Sequence, residues 1–171
     1  RNIDLLKKLK DLNQLRASIN QELKLKNEKL EAIKNNFTDT KDMLTRRILN
    51  EVVGIALRQK FATLDEMVKD TSYEDASLDI MSDLERDILT WRQELKKLNN
   101  ISELTNILLE SSNNPDDELK AKILSTYTDQ KNYIIQIKDA SQLYFDKIHA
   151  LHALNEQINF EVLAYKTYIK G

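Results

Sequence analysis

The sequence predicts an all-α fold, an elongated antiparallel helical bundle with long coiled-coil-like helices at its N- and C-terminal ends. Three observations carry that prediction. Only 2 Gly and 1 Pro occur in 171 residues, too few for sandwiches, barrels or Rossmann folds, whose turns and phosphate loops need residues tolerant of positive φ. Apolar residues near the N-terminus recur at alternating spacings of 3 and 4, the period of a coiled-coil seam. Beyond Pro115 no Gly or Pro interrupts the chain until Gly171. With 41% hydrophobic and 32% charged residues, the chain has the apolar content of a folded protein, and no apolar run approaches the roughly 18 residues of a spanning helix. Its 20.0 kDa suit a single helical domain over 1–171.

The elements follow in order. A first helix, about 3–35, carries the seam Leu5, Leu9, Leu12, Arg16, Ile19, Leu23, Lys26, Leu30 and Ile33. Leu6, Leu15 and Leu25 widen the stripe, which predicts more than one neighbouring helix. Asn35-Asn36-Phe37-Thr38-Asp39-Thr40 reads as a break, because such side chains favour caps and local turns. A second helix, about 41–60, is apolar nearly all round over 52–57 and is expected to be the most buried. Gly54 within it costs about 1 kcal/mol relative to Ala, which predicts close approach of another helix. A short piece near 63–69 follows, and the polar break Asp70-Thr71-Ser72 ends it.

The third long helix, about 75–98, has the seam Leu78, Met81, Leu84, Ile88, Trp91, Leu95 and Leu98, with Trp91 in the core. Asn99-Asn100 ends it, and a short helix of about 102–111 holds Leu104, Ile107 and Leu108. Asn114 then serves as N-cap and Pro115 as first helical residue, with Asp116, Asp117 and Glu118 complementing the helix dipole. The last helix, about 115–169, keeps a seam for six heptads from Tyr127 through Gln130, Ile134, Ile137, Ser141, Tyr144, Ile148, Leu151, Asn155, Ile158, Val162 and Tyr165 to Ile169. A helix of that length, about 80 Å at 1.5 Å per residue, needs packing partners. The N-terminal helix is expected along part of it, and the middle helices complete the bundle. The polar seam positions Arg16, Lys26, Gln130, Ser141 and Asn155 fix register or mark where a seam leaves its partner.

Charge narrows the function classes. The formal net charge is −2, so no global electrostatic drive toward nucleic acid or anionic lipid exists. Arg46-Arg47 is too short for a nucleic-acid patch. Without cysteine, disulfides, thiolate metal sites and cysteine catalysis are excluded. No glycine loop, nucleophile elbow, HExxH or Cys–His pair occurs, so the chain reads as non-enzymatic and without cofactor.

Asp146, His149, His152 and Glu156 fall near one face of the last helix at a spacing that could hold a metal. They read instead as a polar flank of the Ile148/Leu151 seam, and no metal is assigned. The segment 65–87 holds nine acids against Lys69 and Arg86. Asp75, Asp79, Asp83 and Asp87 repeat every fourth residue, a like-charge ladder that costs a few tenths of a kcal/mol per pair. Such a face is either solvated surface or a dock for a basic protein partner, where charge speeds and orients encounter. Tyr73 and Glu74 adjoin it, and Tyr is a residue type enriched at interface hot spots. The candidate partner-binding set is therefore Tyr73, Glu74, Asp75, Asp79, Asp83 and Asp87.

A helical body free of Cys, poor in Gly and Pro, and with 50 of 171 residues Asn, Ile or Lys resembles the mature outer-surface lipoproteins of Borrelia spirochaetes. The stretch KNEKLEAIKNN (26–36) and the terminal coiled-coil segments carry the likeness. Within that group the factor H-binding proteins of relapsing-fever species are similar in size and in having coiled-coil ends around a looped middle. The resemblance implies an exported protein on the cell's outer surface, lipid-anchored through a segment outside this chain. It would capture a host serum protein such as a complement regulator, a role in complement evasion and virulence. The chain opens at Arg1 and is read as a mature fragment from which any targeting segment has been removed. A cytoplasmic coiled-coil subunit of a multiprotein assembly is the competing expectation, with the terminal seams as oligomerisation surfaces.

Overall fold

A computed structural model describes residues 1–45, 51–69, 74–110 and 117–170. Those residues form α1 (Asn2–Thr45), α2 (Glu51–Lys69), α3 (Glu74–Lys97), α4 (Ile101–Glu110) and α5 (Asp117–Lys170). The fold is all-α, and the long helices α1 and α5 pack against each other. Among the described residues no helix is long and apolar enough to cross a membrane.

By its internal contacts the chain divides into two compact units. One comprises Arg1–Ser18 with Met81–Asp146, and the other Ile19–Ile80 with Lys147–Gly171. In the first, Leu5, Leu12, Met81, Leu84, Ile88, Leu98, Ile134, Ile137, Ala140 and Tyr144 are buried. Arg1 pairs with Glu94, and Lys8 Nζ lies 4.6 Å from the centre of the Trp91 ring, so α3 descends as α1 ascends. The Gln130 amide, with its oxygen turned to Arg1, accepts from Nε at 3.2 Å and from Nη1 at 2.6 Å. In the second unit, Leu30, Ile33, Leu64, Leu154, Ile158, Val162 and Tyr165 form one apolar cluster, flanked by Leu23, Phe37 and Ile169. Here α1 and α5 run parallel, Lys34 lying near Gln157 and Phe37 stacking on Tyr165. Helix α2 runs against both, with Leu57 near Ile169 and Leu64 near Tyr165.

The α5 seam is buried at every expected position from Gln130 to Tyr165. The break expected at 35–40 does not form, and α1 continues to Thr45. The Thr38, Thr40 and Thr45 hydroxyls donate back to the carbonyls of Lys34, Asn36 and Lys41, a bond that lets a turn-favouring side chain stay within a helix. Phe37 and Thr40 are meanwhile held by Tyr165, so tertiary contact outweighs local propensity. Residues 41–45 thereby belong to α1, residues 46–50 lie outside the described residues, and 51–60 join the 63–69 piece as α2, with Thr63 Oγ1 donating to Gln59 O at 3.0 Å.

Of the 52–57 run expected to be the most buried, Ile55 is exposed and Ala56 and Leu57 are half-buried, while the side chains of Val52 and Val53 lie outside the described residues. A Cβ added at Gly54 would meet nothing within 4 Å, so no helix approaches there. Helix α1 does meet more than one neighbour, α3 in the first unit and α2 and α5 in the second, but Leu6, Leu15 and Leu25 are themselves exposed. At the start of α3, Ser77 is buried and the seam residue Leu78 exposed; in α4 Thr105 is buried while Ile107 and Leu108 face solvent. Thr105 can enter the interior because its hydroxyl donates to Ile101 O at 2.7 Å. Trp91 is half-buried. Asn114, Pro115, Asp116 and the 70–72 break lie outside the described residues.

Candidate functional site

The acidic set is placed only in part. Tyr73 lies outside the described residues, as do the side chains of Glu74 and Asp75 in the first turn of α3. Asp79, Asp83 and Asp87 are each exposed. Asp83 Oδ1 lies 3.7 Å from Arg86 Nη1, a solvent-exposed pair of small energetic weight.

On α5, the Asp146 carboxylate accepts from Gln142 Nε2 at 3.1 Å. His149 is exposed, and His152 Nε2 lies 3.3 Å from Glu156 Oε1. Among the described residues no three His, Cys, Asp or Glu side chains gather as metal ligands.

A large concavity of the second unit lies among the last described turns of α1 and α5 and the first half of α2. Parallel packing brings Leu44, next to last in α1, and Ile169, next to last in α5, to the same groove. This groove of about 1040 Å³ is lined by Phe37, Lys41 and Leu44 of α1, by Leu57 of α2, and by Phe160, Leu163, Ala164, Thr167, Tyr168 and Ile169 of α5. The geometry follows from helical spacing. Ile158, Val162 and Tyr165 turn inward on one stripe, so Phe160 and Leu163, two and one positions from them, point elsewhere. They are 70% and 63% exposed.

The wall is held by a stacked aromatic set. Phe37 lies 4.9 Å from Tyr165 and 5.6 Å, edge to face, from Tyr168. Lys41 Nζ caps that set, 4.1 Å from the Phe37 ring centre and 5.8 Å from Tyr168, an arrangement stabilised by the ring quadrupole. A second depression of about 320 Å³ adjoins the groove through the shared residues Leu57 and Ile169. It adds Arg58, Phe61 and Lys170, with Lys166 and Lys170 Nζ at 5.1 and 5.4 Å from the Phe61 ring centre. Beneath, Tyr165, Thr40 and Lys60 form a polar node that fixes all three helices.

Among the described residues the lining is mostly apolar, and Lys41, Thr167 and Tyr168 are its polar members. None of its residues was singled out from the sequence as a site. The available signal was Phe160 and Leu163 standing off the α5 seam, and Phe37 was obscured because its segment reads as a turn. No protein-family model, curated protein or solved structure matches the chain.

Proposed function

We propose that the chain is a non-enzymatic protein-binding module, the body of a lipid-tethered protein that captures a host protein such as complement factor H at the cell's outer surface. The observation that carries the binding reading is the open groove. Single exposed apolar residues are ordinary, but a contiguous patch rimmed by polar groups marks an interaction surface. Here Phe160, Leu163 and Tyr168 stand exposed side by side on one helix end. Host capture is supported by the resemblance to Borrelia surface lipoproteins, and a basic ligand by the exposed Asp79, Asp83 and Asp87. Surface plasmon resonance of the immobilised chain against purified factor H tests the reading. Binding that is lost on joint Asp79→Lys, Asp83→Lys and Asp87→Lys substitution, with helicity intact by circular dichroism, supports it. Absence of binding by the unaltered chain removes the proposed ligand, and unchanged affinity of the triple variant removes the acidic face.

A second reading, a coiled-coil subunit of an intracellular assembly, is favoured by the exposed Leu6, Leu15 and Leu25 of α1. Leucines left exposed on a coiled-coil-like helix offer surface for another chain. Light scattering separates the two: a monodisperse monomer supports capture, and self-association supports the subunit.

A further inference from the structure

We propose that the groove between the ends of α1 and α5 docks an amphipathic α-helix of a partner protein, apolar on the seated face and acidic on its flanks. The inference deepens the reading of the chain as a protein-binding module and rests on it. It names a surface and a ligand chemistry separate from the acidic face of α3.

Shape and polarity come first. Nine of the ten described groove residues are uncharged, and eight of these are aliphatic or aromatic. A concavity of this composition walled by helices takes the apolar stripe of another helix, read at i, i+3, i+4 and i+7. Phe160, Leu163 and Thr167 present the complementary ridge, at helical spacings of three and four.

The rim's charge sets the sign of the partner. Across the groove and its adjoining depression the charged lining residues among the described ones are Lys41, Arg58 and Lys170, all basic. Asp39 and Asp42 of α1 line neither. Glu156 and Glu161 of α5 lie with Lys34 in a different depression that shares only Phe160 with the groove. Like-charge juxtaposition therefore rejects a basic helix, and the rim attracts and orients an acidic one.

The test uses fluorescence anisotropy of the full chain with two synthetic helical peptides that share one Leu/Phe stripe, one flanked by Glu and the other by Lys. The Glu peptide is expected to bind at least about tenfold more tightly. Leu163→Glu and Phe160→Glu change exposed positions, so the fold should survive, and each should weaken that binding about tenfold or more. Joint Lys41→Glu and Lys170→Glu should reverse the peptide preference. The triple reversal at Asp79, Asp83 and Asp87 should leave peptide binding unchanged, so failure of the groove and failure of the factor H reading are seen separately. Equal affinity for the two peptides overturns the proposal, as does no binding of either. It is also overturned if Leu163→Glu dissociates a dimer in light scattering, since the occupant is then a second copy. Co-sedimentation with phosphatidylserine vesicles that Leu163→Glu abolishes, without peptide binding, assigns the surface to lipid and overturns it equally.

Discussion

The phenol of Tyr165 donates to the Thr40 hydroxyl across 125 positions of sequence. The Thr40 proton is already committed to Asn36 O at 2.9 Å, and Lys60 Nζ donates to the same oxygen at 3.1 Å. One donor and two acceptor lone pairs are the full capacity of a hydroxyl, and here all are used in a side chain 0% exposed. The node ties α1, α2 and α5 together directly beneath the groove.

Thr40→Val keeps the shape of the side chain but removes the oxygen that Tyr165 and Lys60 both use. The buried phenol then loses its acceptor, so the variant should lose about 1–3 kcal/mol in urea unfolding. Tyr165→Phe removes one donor and leaves Thr40 bonded to Asn36 and Lys60, so it should cost about 0.5–1.5 kcal/mol. The double variant should cost less than the two losses added, because both act on one bond. Additive losses would show that the two side chains contribute independently.

Gly54 sits inside α2 with open space where a Cβ would stand. Nothing there opposes a methyl group, and glycine in a helix interior forgoes about 0.5–1 kcal/mol relative to alanine. Gly54→Ala should therefore raise the unfolding free energy in urea by that amount without altering the circular dichroism spectrum. A destabilised variant would mean that a neighbour does press on this turn.

Asn100 opens α4 with a reciprocal cap. Its Oδ1 accepts from the Glu103 amide at 3.2 Å, and its Nδ2 donates to Glu103 Oε2 at 2.7 Å. Asn100→Ala should cost about 1 kcal/mol. Hydrogen exchange at the first amides of α4 should accelerate, while exchange in α2 stays as it was. Unchanged exchange in α4 would show that Thr105 and its buried neighbours hold the helix without the cap.

The all-α class and the α5 seam were legible in the sequence because a seam that long has one solution: every expected position from Gln130 to Tyr165 is buried. What misled were local signals that tertiary contacts override. Asn35 to Thr40 has turn chemistry, yet Phe37 and Thr40 find Tyr165 and the helix continues. The apolar run at 52–57 looked like core, although Ile55 faces solvent. The groove was hidden for another reason: it depends on α1 and α5 running parallel, and periodicity reports a stripe without its direction. The acidic positions Asp79, Asp83 and Asp87 were legible as exposed, since charge alone keeps them in water.

Asn155 is the counterpart of Thr40 in the same unit. It occupies a seam position of α5 at 0% exposure, and neither its Oδ1 nor its Nδ2 has a partner. An amide buried without hydrogen bonds costs about 1–3 kcal/mol in proteins, whereas a leucine there would add apolar burial along the Leu151–Ile158 stripe. Asn155→Leu should thus raise stability by about 1–3 kcal/mol in urea unfolding. A buried polar residue in a coiled-coil seam commonly limits register and association state at a cost in stability. The stabilised variant should therefore also show more self-association by light scattering than the parent chain. Higher stability with an unchanged mass would leave Asn155 as a cost without a specificity role. Lower stability would mean that its amide is bonded in solution.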